Sequence, residues 1–350
     1  MKEFLSTTNY KIENYKVTES CPSNIALIKY WGKFDGQIPA NPSISYTLNE
    51  CKTNTEIEFF ADEAFSVQTF LAGKEEVKFS EKIERYFRTI EEYLPWILKG
   101  KYLIKTENTF PHSSGIASSA SGFGAIAKCL MSLDGHFSGK SDEKFQLKKA
   151  SFLARLGSGS ACRSLYDGLV VWGKTEEVND SSDLFAVPYS NDEIHPVFKN
   201  FNDWVLLIHE GEKSVSSTVG HGLMNTNPYA ERRFQEAHES FKSFKAILKS
   251  GDMTGFIKLV EHEALTLHAM MMMSEPAFIL MKTGTLAVIN KIWEFRKETS
   301  LPLFFTLDAG ANVHLLFPAD SDEDQIKEFI IKELVQHTQK NGVVKDVMRF

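Results

Sequence analysis

The twelve residues Pro111–Gly122, PHSSGIASSASG, place seven small residues at 113–115 and 117–120 ahead of Ser121 and Gly122. Backbone with so little side-chain bulk can approach an anion closely, and a helix beginning there would aim its first N–H groups at that anion. The serine hydroxyls could ligate Mg2+ or donate to phosphate oxygens. No Gly-Lys-Ser/Thr closes the segment, so it is not a Walker A loop; a serine-rich turn ahead of a tightly packed helix fits the same composition. A second segment, Asn24–Lys33 (NIALIKYWGK), sets Lys29 in or at the end of an apolar run. An ammonium there is costly unless an anion meets it, or unless it snorkels out from the strand end. The third, Gly157–Ser164 (GSGSACRS), is another Gly/Ser loop carrying Arg163. Its planar fork suits a carboxylate or phosphate, while a helix C-cap with a surface arginine reads equally well. The fourth, Phe305–Asn312 (FTLDAGAN), puts Asp308 in a tight turn directly after an apolar strand. That is a rigid mount for a base, and also a common setting for a turn-forming Asp beside Gly. Taken together, two Gly/Ser loops, two lysines, an arginine and a carboxylate are the parts of a phosphoryl-transfer site that lacks a Walker motif.

These segments need elements to hold them. Apolar Ile25–Tyr30 reads as a short buried strand, and the alternation at Thr53–Phe60 and Lys101–Glu107 as half-buried strands. Between them, Glu81–Lys99 carries Ile83, Tyr86, Phe87, Ile90, Tyr93, Leu94 and Ile97 at helical spacing. Helices are expected over Gly122–Ser132 and from Asp142 to about Arg155, and a strand over Gly168–Trp172. Residues 180–202, acidic and with prolines, read as a linker. Beyond them come a strand at Trp204–His209 and helices from Asn227 (Pro228 at the first position), from Asp252 and over Thr285–Lys297. Strands at Leu303–Leu307 and Val313–Phe317, a helix within Ser321–Glu333 and a strand at Val343–Phe350 complete the chain. The intermixing is not a regular βαβα alternation, so the fold class is α+β in two domains, divided near residue 190 into 1–190 and 191–350.

The 350 residues suffice for two cores. With 43% hydrophobic and 24% charged residues the chain is globular rather than disordered, and a net charge of −7 argues against a nucleic-acid surface. Cys21, Cys51, Cys129 and Cys162 show no CxxC spacing, so free thiols are expected. The polar opening and the lack of a ~20-residue apolar run point to a cytoplasmic protein. The Met270–Met273 run reads as adaptable core. His262 and His268 do not form HExxH. Trp172, Trp204 and Trp293 read as packing residues.

In this order, the four segments closely resemble those of the diphosphomevalonate decarboxylase family within the GHMP small-molecule kinase superfamily. Its members show NIALIKYWGK near the start, a phosphate loop ending in GLASSASG, then GSGSACRS, and DAGPN near the end. The loop alone points only to the superfamily; KYWGK with SACRS points to the decarboxylase branch. Asn41–Ser45 (NPSIS) lies where the family has an Asn-Ser-Ser-like stretch, with Pro42 intruding. Ala311 replaces the proline of DAGPN, which is expected to loosen the turn carrying Asp308.

The resemblance implies the GHMP two-domain fold: an N-terminal domain like ribosomal protein S5 domain 2, a ferredoxin-like C-terminal domain, and an active site in the cleft. The implied activity is ATP-dependent decarboxylation of (R)-5-diphosphomevalonate to isopentenyl diphosphate, with ATP and Mg2+ required and a homodimer expected. Asp308, Lys29 and Arg163 would be catalytic. Tyr30, Lys33, Ser158, Ser160, Lys213 and Ser217 would bind the substrate. Ser113, Ser114, Gly115, Ala117, Ser118, Ser119, Ser121 and Gly122 would hold ATP, Ser119 also ligating the metal. A phosphomevalonate decarboxylase or a mevalonate 3-kinase of the same branch would carry similar segments, although keeping Lys29, Arg163 and Asp308 argues against a bare kinase. A non-catalytic GHMP-fold binding protein would be expected to have lost the base or the phosphate loop, and neither is lost.

Overall fold

The alternation at Thr53–Phe60 is the second half of a strand of 19 residues. The computed structural model describes residues 1–6, 8–61, 63–111, 116–140, 142–209, 211, 215–319 and 322–349. It opens with β1 (Tyr15–Ile28), the small hairpin β2 (Lys33–Phe34) and β3 (Ile38–Pro39), and the long β4 (Ser43–Ala61). β1 runs antiparallel to β4, from Tyr15 opposite Phe59 to Ile28 opposite Ile44, with register shifts at Pro22/Asn24 and Ala26/Ile28. Pro22 cannot donate to a ladder, so an irregularity beside it is where a strand tolerates it. β5 (Ser66–Leu71), β6 (Lys74–Glu75), β7 (Gly100–Asn108), β8 (Leu169–Trp172) and β9 (Val187–Pro188) extend the sheet in the order β6-β5-β7-β4-β8-β9. The far edge of β4 is shared: Ser43–Tyr46 pairs with β8 and Thr53–Ala61 with β7.

Helices α1 (Val77–Thr89), α2 (Ser118–Ser138) and α3 (Glu143–Gly157) cover this sheet, burying Phe87, Phe123 and Phe152 against Ile57, Phe59 and Tyr102. α1 stops ten residues before its expected end. Pro95 lacks an N–H and would clash with the carbonyl four residues back, so 90–98 turn instead, while Leu94, Trp96 and Ile97 stay buried. Asp142 caps α3 by accepting from Phe145 N–H at 3.0 Å.

The expected linker is more ordered than its composition suggests: it holds β9, two 3-10 turns and the start of β10 (Asn200–Leu206). Helices α4 (Ser217–Gly222), α5 (Ala230–Ser250), α6 (Met253–Met272) and α7 (Thr283–Thr299) follow, then β11 (Phe304–Thr306), β12 (Val313–Pro318), α8 (Glu323–Phe329) and β13 (Val343–Arg349). The strands form an antiparallel sheet in the order β11-β12-β10-β13. Its interior is continuous with that of the first sheet. Ile25, Leu27 and Ile44 share a cluster with Phe201, Phe256 and Phe304. Buried Asp346 of β13 accepts from the amides of Asn49, Glu50 and Cys51 in β4, the last at 2.6 Å. Trp172 and Trp204 are buried as expected, whereas Trp293 is 41% exposed, its indole donating to Glu261. The Met run is split: Met270 and Met271 pack with Trp31, and Met272 and Met273 face outward. No helix among the described residues is long and apolar enough to cross a membrane.

Candidate active site

Lys29 directly follows the last residue of β1, so its side chain leaves from a rigid strand end, and it is 1% exposed. Its ammonium donates to Ala26 O at 2.6 Å and lies 3.5 Å from Asp308 Oδ1. Burial holds its pKa below the ordinary lysine value, with Asp308 pulling the other way. Asp308 stands two residues beyond β11, in a turn braced from several sides. The Asp308 carbonyl accepts from Gly310 N–H at 2.7 Å and from His268 Nε2 at 3.1 Å. Thr285 Oγ1 donates to Ala311 O at 2.6 Å, and Asn312 Oδ1 accepts from His209 N–H. These bonds brace the turn in which Ala311 takes the place of proline.

Arg163 projects from a 3-10 turn, Gly159–Leu165, and is buried. Nε donates to Ser45 Oγ at 2.9 Å and Asn24 Oδ1 at 3.3 Å, and Nη1 to Ser43 Oγ at 2.6 Å. All these partners are neutral. Burial lowers its pKa below the usual arginine value while Asp308 pulls the other way, so an anion entering the cleft would meet a charge that none of its hydrogen-bond partners matches. The fork thus has its orientation set by serines and its charge left for something else.

On the opposite wall α2 begins. Ala117, its N-cap residue, has φ +33° and offers no side-chain cap, so the helix start faces the cleft with Ala117, Ser118 and Ser119 in its lining. A non-glycine residue held in that region costs of order 1–3 kcal/mol and persists where the surroundings demand it. Ser158 Oγ reaches Ser119 Oγ at 3.4 Å, joining this helix start to the GSGSACRS segment. Ser121 and Gly122 do not line the cleft. The Ser121 hydroxyl is fully buried, accepting from Thr53 Oγ1 at 2.6 Å and donating to Ser118 O. Two residues after the cleft-lining Ser119, the helical period carries it to the sheet side. Ser113, Ser114, Gly115 and Lys213 lie outside the described residues.

The third wall holds Tyr30, Lys33, Ser158, Ser160 and Ser217. Tyr30 packs edge-on against Trp172 and at a tilt against His221, and its buried hydroxyl has no partner among the described residues. Lys33 donates to Gln37 Oε1 at 2.8 Å, and burial lowers its pKa. His221, four residues after Ser217, also lines the cleft. Its Nδ1 accepts from Gly32 N–H at 3.0 Å, and burial pushes its pKa down to about 3, so the ring is neutral with its proton on Nε2. Asn24 and Lys82 were not singled out from the sequence either. Asn24 bridges Ser164 Oγ (2.7 Å) and Arg163. Lys82 projects from α1 into the cleft, 4.9 Å from the Phe123 ring. Asn24 lies inside the NIALIKYWGK segment and His221 one turn past Ser217, so both had a signal; Lys82 on the polar face of a helix had none.

These walls enclose about 410 Å³, and Lys29, Asp308 and Arg163 all line that space. Among the described residues no cluster of three His, Cys, Asp or Glu side chains could hold a metal by itself. Mg2+ keeps several waters and binds largely through substrate phosphates, and the Ser119 hydroxyl stands in the lining as one further oxygen donor.

Residues 21–183 match the model of the diphosphomevalonate decarboxylase-like N-terminal domain, and 204–349 that of the mevalonate 5-diphosphate decarboxylase C-terminal domain. A diphosphomevalonate decarboxylase of Ganoderma lucidum is 30% identical over 343 residues, covering 92% of this chain and 83% of that protein. The crystal structure of mevalonate diphosphate decarboxylase from Staphylococcus aureus superposes with a TM-score of 0.81 at 30% identity, covering 96% of each chain. A solved complex of MDDEF with MVAPP, AMPPCP and magnesium superposes with a TM-score of 0.80 at 26% identity, covering 96% of this chain and 98% of that one. With the GHMP fold, the cleft and these matches spanning nearly its whole length, the chain belongs to the diphosphomevalonate decarboxylase family.

Proposed function

We propose that this cleft converts (R)-5-diphosphomevalonate and ATP into isopentenyl diphosphate, CO2, ADP and phosphate. The observation that carries the reading is the buried Lys29 ammonium 3.5 Å from the mostly buried Asp308 carboxylate, in a cleft that also holds Arg163 and the start of α2. Mg2+, when bound with ATP, supplies charge neutralisation at the phosphates. Ala117, Ser118 and Ser119, with the amides of the first turn, cradle those phosphates. Asp308 orients the C3 hydroxyl and takes its proton as that oxygen bonds to the γ-phosphorus and the bond to ADP breaks. Lys29 holds positive charge beside both. The C3–O bond then breaks, phosphate leaves, and the electrons of the C–carboxylate bond form the new double bond as CO2 departs. Arg163 holds that carboxylate in line. Tyr30, Lys33, Ser158, Ser160 and Ser217 grip the diphosphate end, with His221 Nε2–H as a further neutral donor.

The boundary between the two domains belongs at 190/191, between β9 and β10 and within the gap between the two matched family models. A cytoplasmic homodimer completes the reading; the four free, buried thiols suit a reducing compartment, and a monomer in sedimentation equilibrium would remove the dimer. Turnover decides the rest: ADP release and trapped CO2 are measured with mevalonate, 5-phosphomevalonate and 5-diphosphomevalonate side by side. Equal ADP and CO2 from the diphosphate alone is the expected result. Preference for the monophosphate, or ADP without CO2, overturns it.

A further inference from the structure

Lys29 lies one residue beyond the last rung of the β1–β4 ladder, which closes at Ile28 opposite Ile44. Its peptide groups therefore need other partners, and the second domain supplies them. Arg233 on α5 and Glu263 on α6 have fully buried side chains and pair bidentately, Nη1 to Oε1 at 3.0 Å and Nη2 to Oε2 at 2.6 Å. Each also reaches Lys29. Arg233 Nη2 donates to Lys29 O at 3.1 Å, and Lys29 N–H donates to Glu263 Oε2 at 3.0 Å. Asn41 Nδ2 donates to the same carbonyl at 2.9 Å, and Ser240 Oγ steadies Glu263 Oε1 at 2.9 Å. One ion pair thus grips Lys29 by both its N–H and its C=O.

As a source of stability the pair is a poor choice. Burying two charges carries a desolvation cost that apolar groups of the same volume avoid, and Arg233 Nε is buried without a partner among the described residues. As a source of geometry it is a good one, because a catalytic group must be held within about 0.5 Å. We propose that Arg233 and Glu263 are positioning residues for Lys29: anchored on two helices of the second domain, they fix the peptide from which the ammonium projects to Asp308. This rests on the reading of Lys29 as part of the phosphoryl-transfer site.

The test compares the full chain with the double variant Arg233→Met/Glu263→Leu, in which apolar groups replace the ion pair, and with Glu263→Gln. The expected result is a folded protein with KM for MgATP and for 5-diphosphomevalonate within about threefold of the parent. The kcat should be lower by about 10²-fold, the size of loss that a 1 Å misplacement brings. A folded variant with parental kcat overturns the proposal, as does one whose KM values rise while kcat holds. If the double variant does not fold, the same criteria apply to Glu263→Gln, whose single amide oxygen replaces two carboxylate oxygens that together accept from Arg233, Ser240 and Lys29 N–H. Crystal structures of parent and variant supply a readout that needs no turnover. Displacement of Lys29 Nζ from its 3.5 Å approach to Asp308 by about 1 Å supports the proposal, and an unmoved ammonium overturns it. A parent chain inactive on 5-diphosphomevalonate would sink the functional reading and leave the positioning role to be decided by those structures.

Discussion

Replacing Asp308 by asparagine keeps the shape of the side chain and removes one charge and one base. At 3.5 Å from Lys29 Nζ, the carboxylate interacts with the ammonium by about 5 kcal/mol at an effective dielectric of 20. That attraction opposes the burial that lowers the Lys29 pKa. Without it the pKa falls further, and the amine sheds its proton at a lower pH than in the parent. Two losses follow. The C3 hydroxyl has no base, which is worth ~10²–10⁴-fold, and the transferring group loses part of its cationic neighbour. The kcat should therefore drop by at least about 10²-fold. Binding should not weaken, because the removed charge is negative and both ligands are anions. Kd for MgATP and for 5-diphosphomevalonate is expected within about threefold of the parent, or tighter. The sign of the pH effect is also set: residual activity of the variant should rise as pH falls and Lys29 regains its proton. Single-turnover phosphoryl transfer with binding titrations, repeated across pH, measures all three. Near-parental turnover would refute Asp308 as the base, and a large loss of ligand affinity would refute the division between binding and chemistry drawn here.

Two further outcomes are expected. Arg163→Lys keeps the charge but cannot reproduce the bonds to Ser43 and Ser45 together with a fork for the carboxylate; it should weaken 5-diphosphomevalonate binding more than Asp308→Asn does, as titration will show. His221 has its folded pKa depressed from 6.5 to about 3, so below pH 6.5 the unfolded chain takes up a proton that the folded one does not. That difference removes about 2 kcal/mol of stability between pH 7 and pH 5; urea midpoints of the parent should fall over that range by more than those of His221→Gln, and parallel curves would exclude His221 as the cause.

Much of the site is legible in the sequence because its parts are local. Lys29 stands out as a charge closing an apolar run, Asp308 as an acid in a Gly turn after a strand, and Arg163 as a cation among glycines and serines. Ser121 misleads for the same reason. Composition places it in the loop, but it is the fourth residue of α2, and there the 3.6-residue period turns its hydroxyl toward Thr53. The expected length of α1 fails because apolar residues recur at helical spacing on both sides of Pro95, and the ring forbids the helix without changing the pattern. Trp293 fails because periodicity identifies a face without saying what covers it.

What the sequence hides is assembly. The Lys29–Asp308 contact spans 279 residues, and the Glu263 bond to the Lys29 amide spans 234. Arg233 and Glu263 are charged residues on helices among many others, so pattern alone reads them as part of a solvated face. Only the folded chain shows that both are buried and that their free lone pairs and protons meet a strand end lacking ladder partners. The same logic accounts for Asp346, an acid in a strand until β13 lies against β4 and three amides converge on it. In each case a backbone group left unpaired by the first domain is paired by a buried charge from the second. The candidate cleft is lined by Lys29, whose peptide the Arg233–Glu263 pair holds, so there the geometry of the site and the domain packing are one arrangement. Substitutions at Arg233 or Glu263 should therefore affect the chemistry through position, without touching either substrate.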